Sequence, residues 1–234
     1  RVPTRREVAE SSVRARYAPG ELRGERVRGY LDEDGVPRDS DTETFVAIRA
    51  EIDTWRWAGV PILLRHGKRL AKRFTEVQVQ FRTPPSQLFN RPDGMDDDEY
   101  RRALREGRLC ERRPNVLTLS LQPREAITLS FGVKRPGSAM NMAPAALRFD
   151  YRDAFGESTT PAYERLLLDA MAGDATLFAR RDEVENAWKF IDEIENAWHK
   201  TSTPPPMCEY PAGSWGPKEA DQLLAQDGRV WRLL

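Results

Sequence analysis

Two residue spacings divide this chain. Up to about residue 151 the apolar residues tend to alternate with polar ones, and from about residue 160 they recur every third or fourth position. The first spacing places successive side chains on opposite faces of a strand, and the second lines one face of a helix. Residues 13–18 (VRARYA), 43–53 (ETFVAIRAEID), 61–68 (PILLRHGK), 75–82 (TEVQVQFR), 116–123 (VLTLSLQP), 126–134 (AITLSFGVK) and 146–151 (ALRFDY) are the expected strands. VLTLSLQP and AITLSFGV meet across Pro123-Arg124-Glu125 as an expected hairpin. In TEVQVQF, Val77, Val79 and Phe81 share one face and Gln78 and Gln80 the other, which predicts a sheet with one buried and one wetter face.

Beyond residue 160 the pattern is helical. Thr160 is placed to cap a helix beginning at Pro161, which buries Leu166, Leu167, Ala170 and Met171 and stops at Gly173. A second helix starts at Asp182 with a stripe of Val184, Ala187, Trp188, Ile191, Ile194 and Trp198 and ends in TSTPPP. A short helix is expected near 217–225, and the charged insertion 91–113 interrupts the strands with one or two helical turns. Strands first and helices later predict an α+β fold: a large, mainly antiparallel β-sheet with helices packed on one face.

Composition bounds the function. The 234 residues carry 37 basic and 37 acidic side chains with 39% hydrophobic content, enough for one large domain or two small ones; the whole span 1–234 is read as one functional domain. No apolar run reaches the roughly 20 residues a membrane helix needs, and the charged start lacks a signal-peptide core. A cytoplasmic protein with no membrane partner is expected. Zero net charge argues against a nucleic-acid partner. Cys110 and Cys208 stand without a histidine cluster, so no metal site is expected.

Sequence signatures of chemistry are few. No G-x-G-x-x-G follows an expected strand, no P-loop occurs, and no G-x-S-x-G is present. The histidines, His66 and His199, lie far apart, and His199 suits a helix C-terminus. The informative stretch is 59–74, GVPILLRHGKRLAKRF, where an apolar strand is followed by Arg65, Lys68, Arg69, Lys72 and Arg73. Lysine as a point charge and arginine as a planar fork together suit a phosphate monoester with neighbouring hydroxyls. A solvated basic turn is the other reading of the same charges.

Separated motifs narrow that choice. In order they are Thr42–Phe45 (TETF), Trp57–Pro61 (WAGVP), Arg65–Lys68 (RHGK), Gln122–Glu125 (QPRE), Tyr163–Ala170 (YERLLLDA) and Gly216–Asp221 (GPKEAD). With RYAPG, FDY and YPAGSW between them, the chain from about Val13 almost to its end resembles the C-terminal domain of glucose-6-phosphate dehydrogenase, of bacterial type. Two departures stand out: RARY occupies a place where the family usually has a Gly-Gln pair before the tyrosine, and the insertion 91–113 is longer than in many relatives.

The resemblance implies NADP-linked oxidation of glucose 6-phosphate to 6-phosphogluconolactone in the pentose phosphate pathway. It implies that Lys68, the lysine of the RHGK motif, and Arg73, five positions on, bind the substrate. The family's N-terminal Rossmann half and its Asp-His-Tyr-Leu-Gly-Lys segment are not in this sequence, so no catalytic or cofactor-binding residue is assigned and the chain alone is expected to be inactive. Beginning at Arg1 and not at methionine favours a fragment. Animal members hold a second, structural NADP; here the corresponding positions, Phe74, Gln78, Ser120, Thr128, Ser130 and Trp215, offer little to a phosphate, so that site is expected to be absent and Arg65 to serve mainly the strand end. Trp188 and Trp198 are expected to pack, and Trp55 and Trp57 to clamp their turn. The family dimerises through its sheet surface, so a homodimer is expected. A stand-alone sugar-phosphate-binding or oligomerisation module is the alternative from another functional class.

Overall fold

The computed structural model describes residues 5–83, 95–105, 114–134, 136, 142–156, 162–200, 204–225 and 228–231. Its elements in chain order are α1 (Arg5–Ser11), β1 (Ser12–Ala18), β2 (Gly20–Leu22), β3 (Glu25–Val27), β4 (Phe45–Ala50), β5 (Ile62–Gly67), β6 (Thr75–Gln80), α2 (Asp97–Arg105), β7 (Val116–Gln122), β8 (Ala126–Lys134), β9 (Met142–Asp150), α3 (Tyr151–Phe155), α4 (Ala162–Ala172), α5 (Arg181–His199), β10 (Met207–Pro211) and α6 (Lys218–Ala225). They form two units: Arg1–Lys72 with Asp174–Leu234, and Arg73–Gly173.

In the first unit a four-stranded sheet runs in the order β10-β1-β4-β5. β10 lies parallel to β1, and the other pairs are antiparallel. Alternation in β1 and β4 explains the layers. Ala15, Tyr17, Phe45 and Ala47 point to one face and pack with Ala220, Leu223 and Leu224 of α6. Ile48 points to the other and packs with Val8 of α1 and with Ile194, Ala197 and Trp198 of α5. Full burial of an aliphatic or aromatic side chain of this size contributes about 1.5–3 kcal/mol, so each face supports its own helices.

The second unit holds an antiparallel sheet in the order β6-β7-β8-β9. The hairpin expected across residues 123–125 is β7–β8, with Ser120 opposite Ala126 and Val116 opposite Ser130. Register aligns Val77, Leu119, Ile127 and Phe149 in one cross-strand row and Val79, Leu117, Leu129 and Leu147 in the next. The opposite face carries Gln78, Thr118, Thr128 and Arg148. Asp150 ends β9 and caps α3, accepting the Arg152 and Asp153 N–H groups at 3.1 and 3.4 Å.

The α+β class and the mainly antiparallel pairing agree with the sequence reading, while the distribution of elements is finer than expected. The strands divide between two four-stranded sheets and a β2–β3 ribbon. Helices cover both faces of the first sheet, because both parities of β4 are apolar. Strands β2, β3 and β10 and helices α1 and α3 were not expected. Four expected packing roles are also revised. The apolar face of β6 is open, with Val77 47% and Val79 39% exposed. Leu167 and Met171 of α4 and Trp188 of α5 face solvent. Trp55 is 96% exposed and clamps nothing. Periodicity identifies a face that can be covered, but not which element covers it. Trp198 is buried as expected, its indole N–H donating to Ser12 Oγ at 2.9 Å. The expected Thr160 cap lies outside the described residues, whereas Gly173 does end α4, at φ +73°.

Candidate functional site: the lysine beyond β5

The site begins with a close approach of two strands. Phe45 of β4 pairs with Gly67 of β5, and the ring lies over the glycine where a side chain would otherwise project. Immediately beyond, the Lys68 N–H donates to the Thr44 carbonyl at 2.8 Å. The Lys68 carbonyl accepts the Tyr210 hydroxyl at 2.7 Å. Tyr210 comes from β10, is buried, and its hydroxyl also lies 3.2 Å from the Thr44 carbonyl. Burial pushes its phenol above the ordinary tyrosine value, so it stays a protonated donor at neutral pH.

The residues after Lys68 are held as firmly. Arg69 adopts φ +51°, a left-handed conformation that costs an ordinary residue about 1–2 kcal/mol. Its guanidinium meets Glu33 Oε1 at 3.1 Å, and the same oxygen accepts the Tyr17 hydroxyl at 3.2 Å. The Arg69 carbonyl accepts the Gly213 N–H at 2.7 Å, and the Ala71 N–H donates to Ser214 at 2.9 Å. Leu70 packs on the core. Burial first, and then Glu33, raise the Tyr17 phenol.

Anchoring thus ends at the backbone of Lys68, whose side chain is exposed and makes no ion pair among the described residues. Arg69 is occupied by Glu33. Arg65 is also occupied: its guanidinium lies 5.6 Å from the Trp215 ring centre and 4.6 Å from that of Trp231. Trp231 is fixed in turn by donating to the Ala220 carbonyl at 3.1 Å. Arg73, the second residue expected to bind substrate, is exposed and opens the second unit. Of the basic cluster around β5, Lys68 therefore combines a fixed backbone with an available ammonium group. A cleft of about 430 Å³ elsewhere in the first unit is lined by Glu10, Glu219, Pro205, Pro206 and Cys208, with no cation, and does not suit a phosphate.

His199 lies in the last turn of α5, and its nitrogens stand 3.2 Å from Asp41 Oδ2 and 3.2 Å from Glu43 Oε1. Arg14, buried between sheet and helix, reaches Asp41 Oδ1 at 2.6 Å. Its Nε is 2.9 Å from Glu43 Oε1, but off the axis of a hydrogen bond. Arg14 beside it holds the Asp41 carboxyl below the ordinary carboxylate range. This cluster ties α5 to the segment before β4 and is structural. Among the described residues no three His, Cys, Asp or Glu side chains are arranged to hold a metal ion.

Sequence reasoning reached Lys68 and Arg73 but missed Tyr210 and Thr44, which contact Lys68 only through the backbone. The YPAGSW and TETF segments carry them, so the motifs were visible although their task was not.

The arrangement is an α+β domain with a backbone-anchored lysine just past β5, the edge strand of the first sheet. Comparison with known proteins agrees. The family described as glucose-6-phosphate dehydrogenase, C-terminal domain, matches residues 1–232. Glucose-6-phosphate 1-dehydrogenase of Aggregatibacter actinomycetemcomitans is 44% identical over 231 residues, covering 98% of this chain and 42% of the relative. The Mycolicibacterium smegmatis enzyme is 42% identical over 228 residues, covering 97% and 42%. A solved glucose-6-phosphate dehydrogenase in complex with its substrate glucose-6-phosphate superposes with a TM-score of 0.74 at 31% identity, covering 96% of this chain and 42% of that one. The Mycobacterium avium glucose-6-phosphate 1-dehydrogenase gives a TM-score of 0.65 at 32% identity, covering 96% and 40%. The chain belongs to the C-terminal domain family of glucose-6-phosphate dehydrogenases, and it spans about two fifths of the length of the relatives it matches.

Proposed function

We propose that this chain is the substrate-binding and dimerisation part of a cytoplasmic, NADP-dependent glucose-6-phosphate dehydrogenase. The observation that carries the reading is the anchored Lys68, whose side chain makes no ion pair among the described residues, in a family whose solved member is described with glucose 6-phosphate bound. Lys68 holds the sugar phosphate through a charge-assisted hydrogen bond, and Arg73 is included as a substrate-binding residue on the family motif alone. Among the described residues no helix is long and apolar enough to cross a membrane.

The residues present do not fit a dinucleotide. No Gly-rich strand-to-helix turn occurs in the sequence, so NADP is held mainly outside this chain. The positions that would serve a second, structural NADP are equally unsuited. Arg65 lies against Trp215 and Trp231 in the first unit. In the second unit Gln78 bonds to Glu76 at 2.5 Å, and Arg148, opposite Thr128, is engaged by Asp150 at 3.0 Å. The proposal therefore includes no second coenzyme.

The two apolar rows across β6–β9 support dimerisation through that sheet, since Val77, Val79, Ile127, Leu147 and Phe149 are all exposed. The test of function is NADP reduction. A full-length dehydrogenase carrying this chain as its C-terminal domain reduces NADP when given glucose 6-phosphate, whereas the purified chain alone does not. Turnover by the chain alone, or none by the full-length protein, would contradict the proposal.

A further inference from the structure

The geometry points to Tyr210 as a positioning residue for glucose 6-phosphate binding, acting through the main chain of Lys68 and touching no substrate itself. This inference rests on the reading of Lys68 as a substrate ligand.

The argument starts from direction. A lysine on a turn carries four rotatable side-chain bonds, so the position of its ammonium is only as well defined as its backbone. Lys68 lies one residue past the end of β5, where the strand ladder no longer fixes the chain. Two bonds replace the ladder: Thr44 takes the Lys68 N–H, and Tyr210 donates to the Lys68 carbonyl. Of these, the bond from Tyr210 is the shorter, at 2.7 Å against 2.8 Å, and it is the side-chain contribution. The next residue is held at positive φ, so the carbonyl of Lys68 must be fixed for the turn to keep its course.

Tyr210 is itself placed by packing. Its ring sits 5.4 Å from Phe45 and 6.5 Å from Tyr17, between centroids, and only 1% of the residue is exposed. A buried hydroxyl needs partners, and it finds them in Lys68 and Thr44. The ring serves the core. The hydroxyl serves the turn that presents Lys68.

Tyr210→Phe separates these tasks, since it keeps the ring and removes the donor. In a full-length dehydrogenase carrying this chain, kcat/KM is measured for glucose 6-phosphate and for glucose, which lacks the phosphate. Expected is a roughly three- to tenfold loss for glucose 6-phosphate, the scale of one hydrogen bond, carried mainly by KM, with the value for glucose unchanged. The ratio of the two substrates is independent of how much protein is folded, so a destabilised variant still reports. In a Lys68→Ala background Tyr210→Phe adds nothing further to the loss. An equal fall for both substrates, no change for either, or the full loss repeated in the Lys68→Ala background would overturn the role. If Lys68→Ala alone leaves glucose 6-phosphate turnover intact, the reading of Lys68 has failed. If Lys68→Ala is selective and Tyr210→Phe is silent, only the present inference has.

Discussion

Phe45 occupies the space that a side chain on Gly67 would need: a β-carbon there would lie 2.7 Å from Phe45 Cδ2, with Leu70 Cδ1 at 3.1 Å. The far edge of the same ring stands against Gly216, at φ +111°, where a β-carbon would fall 2.5 Å from Phe45 Cε2. One phenyl ring therefore links the TETF, RHGK and GPKEAD motifs. The glycines matter because the ring is buried and has nowhere to move.

Gly67→Ala accordingly overpacks the core, at a cost of about 1–3 kcal/mol. The midpoint of urea unfolding is expected to fall while its slope is preserved. Substrate affinity falls too, because Lys68 is the next residue. A midpoint equal to that of the parent would mean that Phe45 is not confined as described.

Asp41 gives the fold an acid-sensitive contact. Its carboxyl is depressed first by the hydrogen bond from Arg14, and His199 adds to the effect. A depressed folded value contributes stability that is fully present above the unfolded carboxylate pKa of about 3.9 and is lost as pH falls through the lower folded value. Thermal unfolding of the chain and of Asp41→Asn, compared from pH 6 downward, is expected to converge as the solution is acidified below that range. A constant difference at every pH would remove the ionised Asp41 from the stabilising set.

What the sequence showed, and what it hid, follows from the reach of each interaction. Strands β4 to β8 and helix α5 were legible because their signal is a local alternation or stripe. Strand β10 was hidden: Met207–Pro211 is five residues long, follows three prolines, and is a strand because it lies parallel to β1 nearly two hundred residues earlier. Helix α1 carries no apolar stripe beyond Val8, which packs on α5. Lys68 was found by its motif. Tyr210 was not identified as its support, because a side chain bonding to a main-chain carbonyl 142 positions away leaves no pattern. Trp188 and Met171 were expected to pack because apolar spacing is silent about whether the covering surface lies in the same chain.

The open face of the second sheet predicts association. The chain is expected to have a dimer mass by light scattering at micromolar concentration. Leu147→Arg, placing a charge in the row with Val79, Leu117 and Leu129, should shift that mass toward the monomer while leaving circular dichroism unchanged. A parent chain that stays monomeric, or a variant that dimerises as well as the parent, would exclude this face as the interface.

The central claim concerns one ammonium group, and a pair of alanine variants tests it. In a full-length dehydrogenase carrying this chain, Lys68→Ala removes a charge-assisted hydrogen bond worth about 1.5–3 kcal/mol, roughly ten- to a hundredfold in kcat/KM for glucose 6-phosphate. The KM for NADP and the melting temperature stay near those of the parent. Lys200→Ala, at the end of α5, removes an exposed lysine from a helix terminus and serves as the control. The account predicts a selective loss at Lys68. Near-parental kcat/KM in both variants would contradict it.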